Sequence, residues 1–168
     1  MTEHERTVCA FVLGVDPGIL GGVSSFKAGE FHAVCGTPVI KGKGKSQHDL
    51  REMSDLLRYY QSLGIRKAYI EHVHSMPKQG VASSFNFGVS YGIWLGLFAG
   101  LCIPFERVSP QRWQKVLVDV PGKDPKQRGK LFVSQAFPGI KISAKLVDAF
   151  LIGLWGARQE YKMEEKIV

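Results

Sequence analysis

The pattern of apolar residues predicts an α/β fold, a mixed five-stranded sheet with helices on both faces. Three observations carry this reading. The chain opens on a nearly continuous apolar run followed by two shorter strand signals joined by a hairpin. Two helical stretches then alternate with two short strands, and the remainder is helical. With 168 residues, 45% hydrophobic and 22% charged, the chain is expected to form a single domain over 1–168, burying roughly two-thirds of its unfolded surface around one core. The sequence carries no low-complexity tract, strong internal repeat or Gly-X-Y period, which excludes disordered and fibrous classes.

Each element has its own signal. Cys9 to Val15 ends at Asp16-Pro17-Gly18, the layout of a strand buried on both faces that runs into a turn, and it is the expected centre of the sheet. Gly22 to Phe26 and Phe31 to Pro38 flank Lys27-Ala28-Gly29-Glu30 and predict an antiparallel hairpin. Lys41 to Ser46, lysine alternating with glycine, is a loop. From Asp49 to Leu63 the apolar residues Leu50, Met53, Leu56, Leu57 and Tyr60 recur at helical spacing, and Gly64 supplies the stop. Lys67 to Ile70 is a short strand leading into Glu71, where a crossover begins. Met76 to Gly80 is a loop, Val81 to Leu101 a long apolar helix, and Pro104 to Val108 a fifth strand. Ser109 caps a short helix with Pro110 in its first turn, Pro125 opens another that reaches Phe137, and a last helix covers about Leu146 to Tyr161.

The longest apolar stretch, Val89 to Ile103, is broken by Ser90, Tyr91, three glycines and Cys102 and falls short of the ~20 residues a bilayer requires, so no membrane partner is expected. The polar, mixed-charge start lacks a secretory layout, and the expected location is the cytoplasm. Cys9, Cys35 and Cys102 are odd in number and lie among apolar neighbours, which predicts buried free thiols rather than a disulfide or a zinc cluster.

Net charge is +7, which favours a polyanionic partner. The excess concentrates between Arg107 and Lys130, where Arg107, Arg112, Lys115, Lys123, Lys126, Arg128 and Lys130 face only Asp119 and Asp124. A second group is Lys41, Lys43 and Lys45. A solvated surface accounts equally well for such clusters taken alone.

Three carboxylates stand in the wrong surroundings. Asp16 follows Phe11-Val-Leu-Gly-Val, Glu71 follows Ala68-Tyr-Ile, and Asp148 lies inside Leu146-Val-Asp-Ala-Phe-Leu-Ile. An ionised carboxylate taken out of water costs several kcal/mol unless it is paired or bound to a metal. Singly, each has an ordinary structural reading: a turn former, a strand-end charge, the partner of a lysine. Together they mark three elements that this topology brings to one end of the sheet. All-oxygen donors suit Mg2+, with Mn2+ as substitute, and two such ions per site, roughly 4 Å apart, support in-line displacement at phosphorus without a nucleophilic side chain. His72 and His74 do not make a zincin spacing and read as strand or loop residues.

These residues also resemble a known family. Gly14-Val-Asp-Pro-Gly, Ile70-Glu-His-Val-His-Ser-Met-Pro-Lys-Gln-Gly-Val-Ala-Ser-Ser-Phe-Asn-Phe-Gly, Val108-Ser-Pro-Gln-Arg-Trp-Gln-Lys and Val147-Asp-Ala-Phe-Leu-Ile are similar, in order, to the motifs of RuvC-type Holliday-junction resolvases. The likeness runs from about Val12 to Gly156 and is greatest to compact members of phages and their hosts. It implies a ribonuclease-H-like fold, a homodimer, and paired magnesium-dependent nicks in four-way junction or other branched DNA. It also implies a bacterial or phage-infected cytoplasm, at the nucleoid. Asp16, Glu71 and Asp148 match the family's catalytic, metal-holding acids. A fourth acid or histidine is usual three residues before the last; Lys145 stands there, at a helical spacing that puts it on the same face as Asp148. Either three acids suffice, or a shifted alignment supplies another ligand, or catalysis is weak.

The loop and helix start containing Lys78, Gln79, Ser83, Ser84 and Phe85 combine a cation, small hydroxyls and an aromatic, a mixture suited to distorted DNA with exposed bases. Phe87 reads more as core than Phe85. By resemblance Lys115 and Lys126 match contacts to the cleaved strand's phosphates, and Lys130 lies one helical turn beyond Lys126. Trp113 reads as a packing anchor. Tyr91, Trp94, Leu95 and Phe98 form a stripe that serves either a dimer interface or the monomer's own core. A junction-binding protein with weak or no cleavage, and a nuclease for RNA–DNA hybrids, stay open as alternatives. Nothing in the sequence addresses a helicase partner.

Overall fold

Strand β1 (Phe11–Asp16) lies at the centre of the sheet in the computed structural model, which describes residues 10–44, 46–72, 80–117 and 119–161. It pairs antiparallel with β2 (Gly22–Lys27), which pairs antiparallel with the edge strand β3 (Glu30–Gly36). Their hairpin turns through Ala28 and Gly29, both at positive φ, the conformation that matches the twist of a two-residue turn. A separate two-stranded hairpin, β4 (Val39–Ile40) with β5 (Gln47–His48), frames the lysine loop and carried no strand signal at two residues apiece. Helix α1 (Leu50–Leu63) starts where Asp49 accepts the Glu52 N–H at 3.0 Å and stops at left-handed Gly64. β6 (Ile65–Glu71) then returns parallel to β1, helix α2 (Val81–Gly100) crosses over, and β7 (Phe105–Val108) joins parallel to β6. The five-stranded order is β3-β2-β1-β6-β7, the mixed sheet expected from the sequence.

The C-terminal third holds α3 (Pro110–Trp113) with a 3-10 turn (Gln114–Leu117), α4 (Pro125–Ala136) and α5 (Val147–Tyr161). Ser109 occupies the cap of α3 by backbone conformation, but its side chain makes no capping hydrogen bond. Asp124 does cap α4, accepting the Lys126 N–H at 3.0 Å. Cys35 and Cys102 are free, as expected, but exposed rather than buried, Cys35 on the edge strand and Cys102 just past the end of α2; Cys9 lies outside the described residues. Among the described residues no helix is long and apolar enough to cross a membrane.

Strand alternation divides the interior into two layers. Phe11, Leu13 and Val15 of β1, with Ala68 and Ile70 of β6, face α1 and α2 and pack on Met53, Leu57, Trp94 and Phe98. Val12 and Tyr69 face the other way, onto Phe150, Leu151 and Leu154 of α5. Side chains two residues apart share a face, so Gly14 and Asp16 follow Val12, and Glu71 follows Tyr69, onto the α5 side. There the helix comes as near as backbone allows. A Cβ on Gly14 would stand 2.0 Å from the Gly153 nitrogen, and one on Gly153 would stand 2.1 Å from Ser24 Oγ, which donates to the Ala149 carbonyl at 2.7 Å.

This contact predicts an asymmetry between glycines. Gly14→Ala has only backbone to displace and should cost about 3 kcal/mol or more in urea unfolding. Gly96→Ala, with open space around it, should leave stability unchanged or raise it by up to ~1 kcal/mol, the helix-propensity gain.

Candidate active site

Parallel register aligns the ends of β1 and β6. Val15 pairs with Ile70, so Asp16 and Glu71 terminate neighbouring strands on the α5 face, about 5 Å apart in the pairing direction. Asp148, the second residue of α5, is carried toward them by the Gly14–Gly153 approach, and its place in the first helical turn gives its carboxylate a favourable dipole. The chain thus brings together the three acids singled out from sequence, each half-buried.

Their local supports differ. Asp16 Oδ1 accepts the Gly18 N–H at 3.2 Å, and a Cβ on Gly21 would stand 2.6 Å from Asp16 Cγ, so the carboxylate is fitted against bare backbone. Thr37 closes this loop: its Oγ1 donates to the Gly18 carbonyl at 3.0 Å and its N–H to the Gly21 carbonyl at 3.0 Å. Glu71 Oε1 accepts the indole N–H of Trp113 at 3.1 Å. Trp113 is buried, the packing anchor expected from sequence, and it is also the donor that holds Glu71, a role the sequence did not disclose. Arg128 clamps the segment before α4 by donating to the carbonyls of Val120 and Leu117.

The electrostatics are those of charges forced together. Burial raises the proton affinity of all three acids. Glu71 carries most of the load: burial first, then repulsion from Asp16 and Asp148, push it up to about 7 against the Trp113 hydrogen bond. Asp16 is raised by burial and by Asp148, and lowered by the Gly18 N–H and by Lys126. Lys126 also lowers Asp148. Lys145 does not have the helical placement expected of it: α5 begins at Val147, and Lys145 is an exposed residue of the preceding turn. Among the described residues the cation that acts on Asp16 and Asp148 is Lys126, from the first turn of α4. Among the described residues no three His, Cys, Asp or Glu side chains are gathered tightly enough to hold a metal ion as they stand. As a donor set, however, three crowded carboxylates fit a hard divalent cation, which would relieve the repulsion that now falls on Glu71.

The other sequence candidates are more dispersed. Lys115 is exposed on the 3-10 turn, and Lys126 and Lys130 are exposed one turn apart on α4. Ser83, Ser84 and Phe85 lie in the first turns of α2; Phe85 is 70% exposed while Phe87 is half-buried. Lys78, Gln79, His74 and Lys45 lie outside the described residues, and Lys41 and Lys43 are exposed. The expected stripe on α2 turns inward, with Trp94 and Phe98 fully buried, because the hydrophobic layer under the sheet claims it.

No protein-family model and no curated protein sequence matches the chain. Among solved structures it is similar to T. thermophilus RuvC in complex with a Holliday junction substrate, at TM-score 0.56 and 16% identity over 90% of this chain and 94% of that one. The fold is RuvC-like, of the ribonuclease-H-like type. A second structure of Thermus thermophilus RuvC agrees at TM-score 0.53 and 18% identity, over 90% of this chain and 95% of that one.

A pH dependence follows from the raised acids. Folded protein keeps a proton on Glu71 to higher pH than the unfolded chain does, so the associated stability is complete below about 4.5 and lost as pH rises through about 7. Metal-free protein should therefore lose on the order of 3 kcal/mol of unfolding free energy across this window, with Glu71→Gln flattening the profile. Urea titrations at a series of pH values between 4.5 and 8 in chelator measure both.

Proposed function

We propose that the chain is a structure-selective endonuclease that resolves Holliday junctions and other branched DNA by metal-dependent phosphodiester hydrolysis. The observation that carries this reading is the meeting of Asp16, Glu71 and Asp148 on the α5 face of the sheet, mutually repelling and joined by no cation in an ion pair among the described residues. Support comes from the RuvC-like fold, one of whose solved examples holds a Holliday junction substrate. The three acids are the proposed holders of Mg2+, two ions per site with Mn2+ as substitute, which would supply a nucleophilic water and charge neutralisation at the phosphate.

The protein's own part is positioning. The Gly18 N–H and bare Gly21 backbone fix Asp16, and the Trp113 N–H fixes one oxygen of Glu71. Lys126, exposed and close enough to act on Asp16 and Asp148, draws a phosphate toward them, and the exposed Lys115 and Lys130 are the proposed further contacts to the strand's phosphates. Lys78, Gln79, Ser83, Ser84 and Phe85 are the proposed contacts to unpaired bases and backbone at the crossover, with exposed Phe85 available for stacking. Lys145, outside α5, is not needed in this scheme.

Symmetric paired nicks call for two active sites related by a two-fold axis, hence a homodimer. With Trp94 and Phe98 committed to the monomer core, the face left for a partner is the opposite side of α2. There Gly88, Gly92, Gly96 and Gly100 have nothing within 4 Å of a built Cβ, and Phe85 and Val89 stand exposed at one end.

A nicking assay on a synthetic four-way junction tests the chemistry. Asp16→Asn should lower cleavage by at least ~100-fold while junction binding persists or tightens, and Trp113→Phe, which removes the supporting hydrogen bond along with part of a buried ring, should lower it by about 10- to 100-fold. Binding without nicks by the wild-type chain in Mg2+ and in Mn2+ overturns the nuclease reading in favour of a junction-binding protein, and faster cutting of RNA–DNA hybrid redirects it to another substrate. Gly92→Leu should shift sedimentation from dimer to monomer with the fold intact, turning paired nicks into single ones.

A further inference from the structure

A cavity of about 400 Å³ opens between α4 and the segment that leads into α5. Its polar lining is Lys130 and Ser134 from α4 with Lys141 and Ser143 from the approach to α5, over apolar walls that include Val133 and Ile140. No aspartate or glutamate lines it, and among the described residues neither lysine joins an ion pair. Two ammonium groups bordering one hollow repel each other, and an anion between them converts that cost into attraction. Ser134 Oγ spends its proton on the Leu131 carbonyl at 2.8 Å, and Ser143 lines the opposite wall. The chemistry is that of a phosphate site.

Its place in the fold says which phosphate. Val147 is part of the lining, and the next residue is Asp148 of the candidate site. Lys130 follows Lys126 by one turn, about 6 Å along α4, and Lys126 is the cation that acts on Asp16 and Asp148. Lysines 126, 130 and 141 thus form a path that starts at the acids and leads away from them, and Lys141 belongs to neither basic cluster visible in the sequence.

We propose that this cavity is a backbone-phosphate subsite: it takes a phosphodiester of the duplex arm flanking the cut, held between Lys130 and Lys141, and so sets how the strand lies across the acids. The proposal rests on the nuclease reading and adds to it a binding site and a residue, Lys141. The same chemistry accepts a free phosphate or a phosphorylated small molecule, which the test separates.

Junction binding is measured against salt concentration for wild type, Lys141→Ala and Lys141→Arg, together with nicking rates at saturating DNA and calorimetric titration with inorganic phosphate. Lys141 is exposed, so folding should survive both changes. Lys141→Ala should lower the salt slope by about 0.9, weaken binding about fivefold at physiological salt and slow nicking at saturating DNA, and Lys141→Arg should restore the slope. Wild-type nicking with an unchanged Lys141→Ala salt slope overturns the subsite and leaves the nuclease reading standing. Loss of inorganic-phosphate binding in Lys141→Ala with junction binding intact also overturns it, assigning the cavity to a small ligand. A wild-type chain that neither binds nor nicks junctions overturns the nuclease reading, and the subsite with it.

Discussion

The contact on which the rest depends is the meeting of β1 and α5 without side chains between them. Gly14 and Gly153 let helix backbone rest against strand backbone, and Ser24 ties the same spot by donating to Ala149. Any larger residue at the crossing would lift α5, and with it Asp148, away from the ends of β1 and β6. Packing elsewhere in the layer, Phe26 against Phe150 and Tyr69 against Trp155, holds the helix down but would tolerate small shifts. The glycine crossing tolerates none, so a steric fact in the core sets the distance between charges at the surface.

That distance is unfavourable for the protein alone. Three carboxylates at the mouth of a core have lost part of their water and gained one another, and Glu71, between the other two in effect, is the one whose ionisation suffers most. The compensation offered is partial: two N–H groups, from Gly18 and Trp113, and the field of Lys126. Elsewhere the same chain pairs its acids well. Glu160 receives Arg66 at 2.5 Å, Lys67 at 3.5 Å and the Tyr69 hydroxyl, and its proton affinity falls. A protein able to build that arrangement with Arg66, Lys67 and Tyr69 of β6 and leaving three acids without it at the strand's far end is carrying strain where a ligand can relieve it.

Much of this was legible in the sequence. Apolar runs, the hairpin dipeptide, Asp49 and Gly64 located the sheet and α1 to within a residue or two, because burial and capping are local signals. The acids were legible as charges in apolar surroundings, on elements that the topology brings to one end of the sheet; that Asp16 and Glu71 share a face is set by the register of β1 with β6. Other features depended on tertiary contact. Trp113 as a donor to Glu71, and Lys126 as the cation felt by two acids, arise from α3 and α4 folding back on the sheet end. Helix spacing suggested Lys145 beside Asp148, but the helix starts two residues too late. On α2 the aromatic stripe was visible, yet only packing could decide whether it faced in or out; it faces in, and the glycines face out.

The charge distribution has an order to it that bears on how a polyanion would approach. Lysines on α4 and on the segment before α5 are exposed and attract phosphate over about a Debye length, whereas the acids lie deeper and repel it only at contact. A strand drawn in by the lysines therefore meets opposition only at the last step, at the point where hydrolysis is proposed. Divalent cations at the acids would remove that opposition, and by linkage a seated strand would raise the site's affinity for them.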